Sequence, residues 1–173
     1  MAEGQWGWHP LANRWAARVV DNAHVRPGEL VLDLGAGHGA LTHHLVRAGA
    51  RVVAVELHPR RCAVLRARFA DAPVRVVGSD IRGLPLPRRP FRVVANPPYH
   101  LTTDLLHLLL ARDSALVAAD LVLQRAVVRR FAAGHGPARW HRRWSLEQGP
   151  SVPRSAFLRP PTVDSAVLLI RRR

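Results

Sequence analysis

From residue 29 to residue 133, short apolar runs alternate with longer amphipathic ones, and no other feature restricts the fold as tightly. The runs 29–34, 51–55, 74–77 and 91–95 have strand length and composition, and 115–123 contains a fifth. Between them 40–48, 59–69, 101–111 and 125–133 carry helical spacing, with Gly49 and Gly134 as stops and Pro59 at a first turn. A proline-rich loop joins 74–77 to 91–95. A helix over 11–20, ended by the Pro27-Gly28 turn, comes before the first strand. The segments 144–148 and 165–170 are strand-like with no helix between them, which implies a terminal hairpin in which one strand runs against the others. The expected fold is α/β: a mostly parallel seven-stranded sheet covered on both faces, with a terminal antiparallel strand. Sheets of this kind bind ligands at the C-terminal ends of their strands.

A chain of 173 residues, 48% apolar, supports one domain with a real core. Residues 1–173 are therefore read as a single domain, with 1–28 an N-terminal segment that carries the first helix. The start lacks the basic cluster and apolar run of a signal peptide. The most apolar stretch, 101–123, is broken by Asp104, Arg112, Asp113 and Asp120, so a cytoplasmic protein without membrane contact is expected. Cys62 stands alone, which excludes a disulfide framework. The net charge is +14, and all 26 basic residues are arginine. Missing lysine fits the codon bias of a GC-rich genome, but the sign of the charge still calls for a polyanion, and nucleic acid is the commonest.

The strand ends carry the chemistry. The first reads VLDLGAGHGALT, and its glycines allow a tight turn and close approach to a ligand. Such turns also serve NAD and FAD. Here, however, Asp33 precedes Gly35 by two residues, and Gly35, Gly37 and Gly39 follow G-x-G-x-G, without the dinucleotide spacing. Glu56 closes the second strand, where an acid accepts from ribose hydroxyls, and Asp80 follows the third, within reach of an exocyclic adenine amine. Carboxylates suit S-adenosylmethionine, which bears a sulfonium and an ammonium and no pyrophosphate. The competing reading makes each acid a helix N-cap.

The fourth strand ends in ANPPY. An adenine N6 amine is a poor nucleophile, because its lone pair is delocalised into the ring. Two acceptors for its N–H groups let the nitrogen pyramidalise, and the Asn96 side chain and the Pro97 carbonyl offer them. Pro97 and Pro98 each push the preceding residue into extended backbone, fixing both acceptors in advance. Tyr99 offers a stacking face worth roughly 1–3 kcal/mol to an extruded base. The plainer alternative is an Asn-Pro turn followed by a core tyrosine.

With these motifs the chain resembles the Erm family of 23S rRNA adenine-N6 methyltransferases, relatives of the KsgA dimethyladenosine enzymes. The likeness runs from Trp6 to Arg173, and VVAVELHPRR, PFRVVANPPY, ADLVLQRA and VDSAV are similar to the macrolide-resistance branch. NPPY by itself also occurs in DNA adenine and protein glutamine methyltransferases. The resemblance implies a Rossmann-like class I methyltransferase fold and S-adenosylmethionine as cofactor. It implies cofactor contacts from Gly35, Glu56, Asp80 and Asn96, supported by Asp33 and Gly37. His9 and Leu11 join them by their place in Trp8-His9-Pro10-Leu11, the nearest match to the family's N-terminal phrase. Asn96, Pro97 and Tyr99 would hold the adenine, and Phe157, in AFLRPPTVDSAV, would sandwich it against Tyr99.

Arg159 stands where the family commonly has proline. No helical C-terminal domain typical of the family follows, which leaves open a naturally short member or a truncated form. RNA contacts then fall to Arg125, Arg129 and Arg130, and to the run Arg139–Arg143 with Arg142 and Arg143, beside Trp140 and Trp144; a merely solvated face is the alternative. Trp6, Trp8 and Trp15 are read as packing residues. His38, His43 and His44 lack an acid or cysteine pattern, so no metal is expected. The implied partner is 23S rRNA or a ribosomal assembly particle, met by a monomer. Methylation of 16S rRNA or DNA adenine, and a non-catalytic RNA-binding assembly role, remain as alternatives.

Overall fold

The apolar runs form one seven-stranded sheet: β1 (Leu30–Leu34), β2 (Arg51–Glu56), β3 (Val74–Gly78), β4 (Phe91–Ala95), β5 (Leu116–Gln124), β6 (Trp144–Val152) and β7 (Ser165–Arg172). The computed structural model describes residues 7–173, so Trp6 lies outside the described residues. The strand order is β3-β2-β1-β4-β5-β7-β6. The first five strands are parallel, and β7 is antiparallel to both its neighbours. The reversed strand is thus not at the edge but inserted between β5 and β6.

Six helices cover the sheet: α1 (Asn13–Ala23), α2 (Ala40–Arg47), α3 (Pro59–Arg68), α4 (Thr102–Leu109), α5 (Arg125–Ala132) and α6 (Ala138–Arg143). Adjacent strand residues face opposite layers, as the period of two requires. Val94 packs with Val19 and Leu45 beside α1 and α2, whereas Val93 packs with Leu105 and Leu109 of α4. Each such fully buried side chain contributes about 1.5–3 kcal/mol of transfer free energy. Pro59 opens α3, and His58 caps it by accepting from the Arg60 N–H at 3.2 Å. Arg92 of β4 closes α1, donating to the carbonyls of Ala23 (2.5 Å) and His24 (3.2 Å). Among the described residues no helix is long and apolar enough to cross a membrane.

The helix α6 falls within a basic run that reads as surface. It forms because Trp140 and Trp144 are core residues, 2% and 0% exposed. Trp140 packs against Phe131 with ring centroids 6.1 Å apart. Neither ring is therefore placed to stack on a base. Trp15 is half-buried against the α1 layer, in keeping with a packing role.

Asp33 links β1 to α2, accepting from the Thr42 hydroxyl at 2.7 Å. It is 1% exposed, and burial pushes its carboxyl up to about 7, against the Thr42 hydrogen bonds and with a smaller push from Glu56. A raised carboxyl pKa means that the folded chain holds this proton more tightly than the unfolded one. Its contribution is complete below the unfolded value of 3.8 and is lost as pH rises towards about 7. At ~1.4 kcal/mol per unit the loss is on the order of a few kcal/mol. Asp33→Asn, which mimics the protonated acid, should remove this part of the slope. Urea unfolding of both proteins at pH 4.5 and 7.5 checks it: wild type should lose more stability than the variant over that interval.

Candidate active site

Strand order reverses between β1 and β4, and at such a point the loops leaving the two strands diverge and open a crevice. The cavity there is lined by Gly35 after β1, Glu56 at the end of β2, Asp80 after β3, and Asn96, Pro97 and Tyr99 after β4. Trp8 and His9 of the N-terminal segment close one side. Six of the expected site residues thus meet in one place, and His9 joins them.

Glu56 is buried, and each of its oxygens accepts one hydrogen bond. Its Oε2 accepts from the Gly37 N–H at 2.8 Å, and its Oε1 from the His58 N–H at 2.9 Å. A carboxylate has about four lone-pair sites, so each oxygen can still accept from a ligand hydroxyl. Gly37 supports the site through this bond, at φ +59° and with Trp8 packed where a side chain would stand. Gly35, at φ +78°, lets Pro98 approach to 3.1 Å of the position a Cβ would take. Both glycines are required by space as well as by backbone conformation.

Asp80 both caps a turn and faces the cavity region. It caps a short 3-10 turn by accepting from the Arg82 N–H at 2.9 Å, and it also lines the cavity. The Arg82 guanidinium chelates both carboxylate oxygens, with Nη2 at 2.6 Å, and holds the carboxyl below its ordinary range. An adenine amine would share this acid with Arg82.

Asn96 shows the most directed geometry. Its Nδ2 donates to the His9 carbonyl at 2.7 Å, which orients the amide and leaves Oδ1 without a protein donor among the described residues. The Pro97 carbonyl likewise accepts from no described group. His9 therefore acts through its backbone, while its ring lies 5.8 Å from the Tyr99 ring and pairs with the Arg159 carbonyl at 3.0 Å. The Tyr99 hydroxyl shares a 2.6 Å hydrogen bond with Ser165 of β7, and burial raises its pKa.

Other expected residues stand apart. Asp33 and Leu11 line a neighbouring hollow, behind the glycine turn. Phe157 is 4% exposed and packs with Leu11, Val94 and Val167, bridged to the Leu11 backbone; it does not line the cavity and forms no sandwich with Tyr99. Arg129, Arg130 and Arg142 are exposed. Arg125 is paired with Asp164 at 3.0 Å, and Arg143 donates to the Arg112 carbonyl at 2.7 Å. The α6 arginines precede β6 and so sit at the opposite edge of the sheet, where Trp144 pairs with Arg172. Seven strand residues separate that level from Ser165, about 23 Å at ~3.3 Å each.

Arg61, Trp8, Arg82 and Ser165 belong to the site but escaped the sequence reading. Ser165 lies within VDSAV, one of the family-like phrases, and Trp8 within the N-terminal one. Arg61 closes the family-like phrase VVAVELHPRR, which gave it no role of its own, and nothing in the sequence marks Arg82. Among the described residues no cluster of three or more His, Cys, Asp or Glu side chains could hold a metal.

The site's donor set suits S-adenosylmethionine on structural grounds: acids at the ends of β2 and β3, an amide after β4, and a glycine turn at Gly35 in the same wall. Comparison with known proteins agrees. The ribosomal RNA adenine dimethylase family profile matches residues 9–173. An rRNA adenine N-6-methyltransferase of Corynebacterium diphtheriae is 38% identical over 82% of this chain and 57% of its own length. A ribosomal RNA small subunit methyltransferase A of Thermosynechococcus vestitus is 36% identical over 90% of this chain and 63% of its own length. The chain thus spans about three fifths of the curated relatives it matches. The solved structure of the 23S rRNA methyltransferase ErmE superposes with a TM-score of 0.85 at 30% identity, covering 95% of this chain and 70% of that one. With the profile spanning nearly the whole chain, this protein belongs to the ribosomal RNA adenine dimethylase family.

Proposed function

We propose that the chain methylates N6 of an adenine in ribosomal RNA, with S-adenosylmethionine as donor and 23S rRNA as substrate. The observation that carries this reading is the Asn96 amide, fixed by its bond to the His9 carbonyl, with its oxygen left without a donor among the described residues, in the wall of the cavity that Pro97 also lines. Glu56, Asp80 and Gly35 would hold the cofactor, which supplies an electrophilic methyl group when bound. Asn96 Oδ1 and the Pro97 carbonyl accept the two N–H bonds of the target amine and localise its lone pair. Tyr99, pinned through Ser165, gives the base a face, and the surplus aminium proton passes to water. Phe157 reaches that base only if its loop opens. An adenine in a duplex must first be extruded, which suits a recessed cavity.

Arg125, at the start of α5, lies at the cavity edge of the sheet. Arg129, Arg130 and Arg142 serve as phosphate contacts for an RNA extending beyond it. By the resemblance of its motifs to the macrolide-resistance branch, the methylated base would lie where macrolide, lincosamide and streptogramin B drugs bind, so resistance is the expected outcome in the cell. The small-subunit relatives support 16S rRNA as a second reading.

Protein-free 23S and 16S rRNA, incubated separately with labelled cofactor and digested for nucleoside mass spectrometry, decide between the two. N6-methylated adenosine at one 23S site is expected. Asn96→Ala should lower turnover by roughly 10²–10³; full transfer by this variant would sink the mechanism. Replacing Arg129, Arg130 and Arg142 together with alanine should weaken RNA binding without changing cofactor affinity. The slope of log K against log salt should flatten by about 0.7–0.9 for each phosphate that the variant no longer neutralises.

A further inference from the structure

Arg61 is a charged cavity side chain that the proposed reaction leaves unused, and it is held at a cost. It is 4% exposed, yet its Nε and Nη2 have no hydrogen-bond partner among the described residues. Its carboxylate neighbour is Glu56, with Nη1 to Oε1 at 3.7 Å, too long for a hydrogen bond. It also sits in the first turn of α3, where the helix dipole disfavours a cation and which holds no acidic residue of its own. Buried donors without acceptors are rare in folded proteins and call for a specific explanation.

The explanation lies in what surrounds the guanidinium. Trp8 covers it, with the ring centroid 4.1 Å from Cζ, and both side chains line the cavity with Glu56. A ring face shields the cation but offers no in-plane acceptor. Nε and Nη2 form one edge of the guanidinium fork, spaced for two adjacent oxygens. A carboxylate is a poor match there, because Glu56 would repel it. A vicinal diol is a good match: its hydrogens go to the spare lone pairs of Glu56 and its oxygens accept from Arg61.

We propose that Arg61 is a nucleoside-binding residue whose Nε and Nη2 donate to the two ribose hydroxyl oxygens of the cofactor. Trp8 covers these donors, so the sugar reaches them as the indole slides aside. The proposal rests on the S-adenosylmethionine reading above and adds to it a contact residue to which the sequence motif assigns no role.

Titration calorimetry with S-adenosylhomocysteine and its 2′,3′-dideoxy analogue tests it, on wild type and Arg61→Met. The variant should bind S-adenosylhomocysteine about tenfold more weakly, while the dideoxy analogue should bind both proteins alike, the signature of a coupled pair. Equal losses for both ligands, or no loss, would overturn the role. Failure of wild type to bind S-adenosylhomocysteine would instead overturn the cofactor reading, and this proposal with it. Should Arg61→Met not fold, the Arg61 Nε–H resonance of wild type, assigned by its absence in Arg61→Lys, gives the answer. It should shift with S-adenosylhomocysteine and stay in place with the dideoxy analogue; no shift with either overturns the assignment.

Discussion

A single buried carboxylate holds the ligand-binding end of this sheet together. Glu56 joins the turn after β1 to the entry of α3 through the Gly37 and His58 N–H groups, and Arg61 lies beside it. Hydrogen bonds to a charged acceptor contribute about 1.5–3 kcal/mol each. Removing one partner of a buried ion pair costs roughly 3–5 kcal/mol, because the other is left uncompensated. The glycine turn and the entry of α3 both depend on this one side chain. The same carboxylate that the ligand requires is thus already used by the fold, and these two walls are set before anything binds.

The charge of the cavity differs from that of the whole chain. The protein carries a net charge of +14, but the strand ends present Glu56, Asp80 and the neutral amide of Asn96. An outer positive field draws in a polyanion, while the acids inside tolerate a cationic cofactor. Arg82 and Arg61 moderate that interior, each standing against one of the two acids. Under the proposed function, this division would let a single small sheet receive two ligands of opposite charge.

Most of the architecture is legible in the residues. Valine-rich runs such as Val52–Val55 are short, continuous and bounded by turn residues, so strands are the only economical reading. The β1–β4 crevice follows from the alternation, and with it the meeting of Gly35, Glu56, Asp80 and Asn96. The helix α6 does not follow, because Arg139–Arg143 is polar in composition and only the burial of Trp140 reveals an inner face. Phe157 lies away from the cavity for a different reason: its motif is recognisable, but the loop folds it against Leu11, a contact between segments far apart in the chain. The Asn96–His9 bond is hidden for a related reason, since a backbone carbonyl leaves no trace in a side-chain pattern. Asp80 shows that capping and lining a cavity are not exclusive.

The place of β7 has a consequence for how the chain assembles. β6 is made before β7 yet pairs with it alone in the sheet, so on emerging it has no partner at all. Until β7 slides between β5 and β6, the sheet ends at β5 with an open edge, and Tyr99 waits for a serine 66 residues further on. Pairings so distant in sequence form late and slowly. A nascent chain would therefore acquire the parallel strands and their glycine turn first, and the anchored face for the base among its last features. The order in which the protein is built would keep it from touching a nucleobase while it is still half made.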